Sequence, residues 1–283
     1  MSKPFRWNIE KKNELGSLIN ESSFEIDEEF LDVLINSTSR IIAFSNNSRL
    51  FFVGRSPENY FDFLNGIYQE STCKLDKLKL FQFSGRHLEK KEIRDNNNTQ
   101  LQELKKYMTS IGLSPMGILK SEYKTALVDL VYSGATMLNL IEIIKHWSIT
   151  EKNDWQSIKS KIRIVGVTER TKNSPNTWRW QQQPKSQQVL DGIKVKNVSV
   201  GWNFWSELGN NQNKVTPSNS PDKWASEEIS RPNINEKHLE GLNFAYKLNI
   251  LGLNEEVRNR FKTSMQEQIE MEHKWFKEWY KKI

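Results

Sequence analysis

In 283 residues the chain holds one cysteine, Cys73, so an internal disulfide pair and a cysteine-rich zinc site are both excluded. No apolar run approaches the ~20 residues needed to cross a bilayer, and the protein is therefore expected to be soluble. Met1 to Lys12 is polar and charged, unlike the apolar stretch of a secretory leader, which makes the cytoplasm the expected compartment. The histidines, His87, His146, His238 and His273, show no metal-ligand spacing. No internal repeat and no long low-complexity run is present.

Charge of one sign is not strongly in excess. The 41 Lys and Arg against 35 Asp and Glu give +6, a balance that suits a phosphorylated small molecule as well as a nucleic acid. The length is ample for a core.

What the chain does have is an alternation of apolar strands and helices. Asp27-Glu28-Glu29 signals a helix start, and the apolar pattern from Phe30 to Ile42 runs up to Asn46-Asn47. Leu50 to Val53 reads as a strand that stops at Gly54-Arg55-Ser56-Pro57, after which Tyr60, Phe61, Phe63, Leu64 and Ile67 resume at helical spacing. Leu78 to Phe83 is expected as a further strand, His87 to Asn98 as a mobile polar loop, and Thr99 to Ile111 as a helix closed by Gly112. Ile162 to Val167 and Val195 to Phe204 read as later strands. Gly209 to Pro221 reads as an exposed connection, and Asn254 as the cap of a helical tail. Strands alternating with helices imply a parallel sheet, giving an α/β fold flanked by helices with a C-terminal helical extension. The expected organisation is an N-terminal extension over 1–26, the α/β domain over 27–205, and a linker and tail over 206–283. That tail would pack on the core or on a partner, a second copy included.

The stretch from Ala126 to Met137 carries the most chemistry. An apolar run ends at Asp129, and Ser133, Gly134, Ala135 and Thr136 then open a helix in which Met137, Leu138, Leu140, Ile141, Ile143, Ile144 and Trp147 form a broad apolar stripe. Two hydroxyls and a permissive backbone at a helix start, where unpaired amides and the dipole attract anions, make a phosphate cradle. The same residues also fit an ordinary helix cap. Asp129 is placed to reach ribose hydroxyls or Mg2+.

Asp129-Leu130-Val131-Tyr132-Ser133-Gly134-Ala135-Thr136 resembles the phosphoribosyl-diphosphate loop of the type I phosphoribosyltransferase family. That loop has two acids, three variable residues, Thr or Ser, Gly, a variable residue and Thr or Ser. The resemblance spans about 27–205 and implies a phosphoribosyltransferase-like core. It implies that Ser133, Gly134, Ala135 and Thr136 hold a 5-phosphate, that Asp129 holds ribose hydroxyls and Mg2+, and that Asp129 and Tyr132 occupy the catalytic positions. Gly54-Arg55-Ser56 falls where the family carries a pyrophosphate-binding loop. Arg86, Lys90, Lys91 and Arg94 fall in the position of its mobile loop. The chain departs at two places, with Val128 where the family has its other acid and Tyr132 where several members carry a catalytic aspartate. The segment Val198 to Trp205 is similar to the last strand and base loop of the 6-oxopurine branch without its acid.

Trp178, Arg179, Trp180 and Trp202 are the candidates for the base side, since Trp178 and Trp180 flank an arginine in a segment without periodicity and can form an aromatic platform. Packing over a sheet edge fits them as well, and Trp202 and Trp205 lean towards packing. The implied activity is binding of phosphoribosyl diphosphate or a nucleotide with Mg2+, with transfer of the phosphoribosyl group to or from a nitrogenous base. A non-catalytic sensor or interaction protein that keeps the cradle is the alternative suggested by Val128 and Tyr132. Nucleic-acid binding is a third, through the basic terminus with Lys274, Lys277, Lys281 and Lys282 beside Trp275 and Trp279.

Overall fold

The computed structural model describes residues 3–20, 25–69, 77–173 and 179–283. Cys73 and Trp178 lie outside the described residues.

After a single helical turn, α1 (Lys12–Leu15), the chain forms α2 (Glu28–Ser45), β1 (Arg49–Val53), α3 (Glu58–Gln69) and β2 (Leu78–Phe81). Next come α4 (Lys90–Arg94), α5 (Thr99–Ser110), α6 (Pro115–Lys120), β3 (Thr125–Leu130), α7 (Ala135–Thr150), α8 (Trp155–Ser160) and β4 (Ile162–Glu169). The chain closes with α9 (Pro184–Leu190), β5 (Lys194–Val200), α10 (Trp202–Ser206), α11 (Glu236–Leu253), α12 (Glu255–Gln266) and α13 (Lys274–Lys282). Local signals act where the residues predict them. The Asp27 carboxylate accepts from the Phe30 amide at 3.0 Å at the start of α2, and Asn46 and Asn47 take positive φ at its end. Asn254 accepts from the Val257 amide at 3.1 Å at the start of α12.

Five strands pair in parallel in the order β2-β1-β3-β4-β5. Register is fixed by pairs such as Phe52 with Val128 and Asp129 with Gly166. Both faces of the sheet are covered, so β3 and β4 are buried along their whole length and read as continuous apolar runs rather than alternating ones. Leu50, Phe52, Ala126 and Val128 point to the face covered by α2, α3, α11, α12 and α13. Phe51, Val53, Leu127 and Val131 point to the face covered by α5, α7 and α9. The chain thus leaves β1 towards one face and leaves the adjacent β3 towards the other, which opens a crevice between their carboxyl ends.

The helical tail packs on this sheet. Phe261, Met265, Phe276 and Trp279 share one core with Phe63 and Leu64 of α3, and the Trp279 indole donates to the Tyr68 hydroxyl at 2.9 Å. Trp279 is therefore turned into the protein and Trp275 is partly buried against the same core, while Lys282 lines a cavity beside both.

Three expectations are corrected. His87 to Asn98 is not a free polar loop. It contains α4, it buries Leu88 and Ile93, and the Asn139 amide of α7 pins it by donating to the Gly85 and Leu88 carbonyls at 2.7 and 3.1 Å. The last strand ends at Val200, and Gly201 turns the chain into α10. Gly209 to Pro221 is not wholly exposed, because Val215, Thr216 and Asn219 are buried. No helix among the described residues is long and apolar enough to cross a membrane.

Candidate functional site

The crevice between the ends of β1 and β3 holds a cleft of about 170 Å3 lined by Ser56, Arg86, Asp129 to Thr136, Trp205, Gly209 and Asn210. A larger cavity of about 340 Å3 between α2, α10 and α11 has Phe30, Phe204 and Phe244 together with Glu25, Asp27, Glu29 and Glu207 in its wall, but none of the loop residues. The smaller cleft brings together an acid, hydroxyls, a cation and a helix start.

The loop that follows β3 has a defined cause. Val131 remains tied to the sheet through its amide and the Val167 carbonyl at 2.8 Å. Gly134 then takes φ +81°, a left-handed conformation that any side chain disfavours, and α7 starts at Ala135. The first turn of a helix presents amides without intrahelical partners, together with the positive end of the dipole. Ser133 is exposed and Thr136 half-buried, so both hydroxyls can meet a ligand at that turn.

Asp129 is 8 % exposed at the end of β3. Burial lifts its carboxyl well above the ordinary carboxylate range, partly opposed by a hydrogen bond from the Leu130 amide. A desolvated acid raised in this way, facing a cleft, is a mark of functional sites. Among the described residues no group of three or more His, Cys, Asp and Glu converges on one point. A divalent ion held by Asp129 would therefore take its remaining ligands from phosphate oxygens and water, as Mg2+ commonly does.

Two aromatic rings, Tyr132 and Trp205, line the same cleft, and Trp202 extends the row. Tyr132 and Trp202 are 58 % and 54 % exposed. Trp205 lies between them, stacked on Trp202 at 5.8 Å and 18° and tilted against Tyr132 at 6.0 Å. The Trp205 indole donates to the Val167 carbonyl at 3.3 Å, which anchors the row to the sheet.

The other expected site residues are distributed as follows. Of Gly54, Arg55 and Ser56, only Ser56 lines the cleft. Gly54 makes the turn at φ +81°, with its amide bonded to the Phe81 carbonyl at 2.8 Å. Arg55 is exposed and acts electrostatically on Lys214 and His238. Arg86 reaches the cleft, whereas Lys90 approaches Glu142 at 4.0 Å and Lys91 pairs with Glu89 at 2.9 Å. Arg179 is exposed and its amide donates to the Gln182 side chain at 2.9 Å. Trp180 is not an open platform. It is 4 % exposed, and its ring lies directly against Gly134.

Beside the cleft, the first turns of α3 carry a buried charge network that sequence reasoning missed. One guanidinium nitrogen of Arg6 donates to both Asp62 oxygens at 2.6 and 2.7 Å. Glu58 accepts from the Val215 amide at 3.1 Å and from the Thr216 hydroxyl at 3.0 Å. Burial lifts the Asp62 carboxyl to about 7, against the pull of Arg6. Burial lowers the Lys214 ammonium to about 8, with Glu58 and Asp62 opposing. This network fastens the N-terminal segment and the 212–216 stretch to α3, and so fixes the chain that supplies Gly209 and Asn210 to the cleft. Its partners are far apart in sequence, and the sequence pattern gives no signal for them.

The fold is that of an α/β protein with a doubly wound parallel sheet and a crevice at the switch point. No family model, curated protein or solved structure matches the chain.

Proposed function

We propose that the cleft binds a phosphorylated ribose, as phosphoribosyl diphosphate or a nucleotide, together with Mg2+, on a phosphoribosyltransferase-like core. The observation that carries this reading is the convergence of the buried Asp129 with Ser133, Ala135 and Thr136 at the start of α7 and with Ser56 from the neighbouring loop. A phosphate on the first amides of α7 would gain hydrogen bonds and the helix dipole, and Asp129 would then meet ribose hydroxyls or the metal. Arg86 adds positive charge at the mouth of the cleft. A nitrogenous base carried by the ligand would lie against the exposed faces of Tyr132 and Trp202.

Transfer of the phosphoribosyl group is the further step of this proposal. It requires pyrophosphate or a base to leave an oxocarbenium-like centre, and the cleft offers phosphate anchors and one acid for this. A second reading, a non-catalytic sensor of the same ligand, is favoured by Tyr132 standing in the cleft wall where a proton-transferring acid would be needed. Calorimetric titration with phosphoribosyl diphosphate and nucleoside monophosphates, with and without Mg2+, tests the binding claim. Saturable binding is expected, and its absence for every one of these ligands would overturn the claim. Turnover with a panel of bases then separates transferase from sensor.

A further inference from the structure

Trp180 sits in a slot made by two glycines on different elements. A Cβ on Gly134 would fall 2.2 Å from Trp180 Cε3, so the indole face covers the backbone of the loop itself. A Cβ on Gly166 of β4 would fall 3.4 Å from Trp180 Nε1 and 3.0 Å from Asn197 Oδ1. Trp180 Nε1 donates to Asn197 Oδ1 of β5 at 3.0 Å, and Asn197 Nδ2 donates to Gln181 Oε1 at 3.2 Å. Asn197 thereby fixes both the indole and the residue after it. Side chains of Gln181, Trp180 and Asn197 form one chain of contacts from the edge strand to the start of α7.

We propose that Trp180 is the positioning residue of the anion loop: wedged between Gly134 and Gly166 and tied to Asn197, its indole holds Ser133 to Thr136 in the conformation that receives the phosphate. The proposal rests on the reading of the cleft as a phosphate site. Gly134 loses more conformational freedom on folding into its left-handed backbone than another residue would, and a flat, rigid ring on its Cα side restricts the alternatives. Only a residue without a Cβ admits the ring, and only a ring of this size reaches Asn197 from there. Trp180 does not touch the ligand on this account. It acts by keeping the first amides of α7 and the Thr136 hydroxyl aimed into the cleft.

The test uses Trp180→Phe, which keeps an aromatic ring and removes the indole donor, Asn197→Ala, which removes the acceptor, and Asn197→Asp, which keeps an acceptor oxygen. In the unliganded protein, amide hydrogen exchange over 131–137 should speed up about tenfold in the first two variants, the range one lost buried hydrogen bond supports. Exchange in β1 and α2 should be unchanged, and Asn197→Asp should restore the slow rate over 131–137. Affinity for phosphoribosyl diphosphate with Mg2+ should fall by a similar factor in the first two variants. Unchanged exchange over 131–137 in both would overturn the proposal, as would acceleration spread evenly over the sheet, which marks a merely structural role. Failure of the wild-type protein to bind phosphoribosyl diphosphate would overturn the ligand reading instead, and the exchange result would still decide whether Trp180 sets the loop.

Discussion

Gly134→Ala should destabilise the protein by an amount that depends on whether Trp180 is present. At φ +81° and ψ 0°, a side chain costs roughly 1–2 kcal/mol through its clash with the following carbonyl. The new methyl group would also lie 2.2, 2.8 and 3.1 Å from three atoms of the Trp180 ring, and overpacking a well-filled site costs about 1–3 kcal/mol. The sum is about 2–5 kcal/mol, within the ~5–15 kcal/mol that holds a typical domain. Removing the ring with Trp180→Ala leaves only the backbone part, so the same glycine substitution should then cost about 1–2 kcal/mol. Urea denaturation of the four proteins of this cycle, compared at a common m value, gives the interaction energy directly. An interaction below ~0.5 kcal/mol, the scatter expected of independent sites, would refute the contact and the packing argument built on it.

Three other outcomes follow from the same geometry. Arg6→Met strands Asp62 in the interior and should cost about 3–5 kcal/mol, with a deficit that shrinks at acidic pH as Asp62 takes up its proton; a pH-independent loss of less than ~1 kcal/mol would show that the pair contributes nothing special. Asp129 has a raised carboxyl pKa, so its contribution to stability is full below the unfolded value of ~3.9 and is lost as pH rises through the folded value. Asp129→Asn should flatten that part of the stability profile and, on the proposed reading, abolish the proton release expected when Mg2+ and ligand displace the Asp129 proton, read from calorimetry in buffers of different ionisation heat. Asn139→Ala should speed amide exchange over 85–93 without altering β1 or β3, because the Gly85 and Leu88 carbonyls lose their donor.

Much of the fold was legible because its signals are local. The apolar runs of β1, β3 and β4, the caps at Asp27 and Asn254 and the glycine turns at Gly54 and Gly134 all act within a few residues of themselves. The order of two loops along the chain was also readable, and their meeting at one crevice follows from the switch between β1 and β3. What stayed hidden depends on distant partners. The 87–98 stretch looked like loop because two buried residues, Leu88 and Ile93, set no periodicity, and the bond from Asn139 crosses 51 residues to Leu88. Val215 and Thr216 looked exposed because their partner, Glu58, lies 157 and 158 residues away. Trp180 fitted a platform and packing over a sheet edge equally well, because a tryptophan in an irregular segment carries no sign of its neighbours. Its burial follows from the absence of side chains at Gly134 and Gly166, which no local pattern links to it.

The central claim is that an anion sits on the loop from Ser133 to Thr136. Hydrogen exchange of the wild-type protein with and without phosphoribosyl diphosphate and Mg2+ tests it most directly. Protection should concentrate in the segments 130–137 and 54–57 and should be lost in Thr136→Val, while the exchange of β1 stays as it was. Protection confined to other parts of the chain, such as the wall of Phe30, Phe204 and Phe244, or no protection at saturating ligand, would contradict the account.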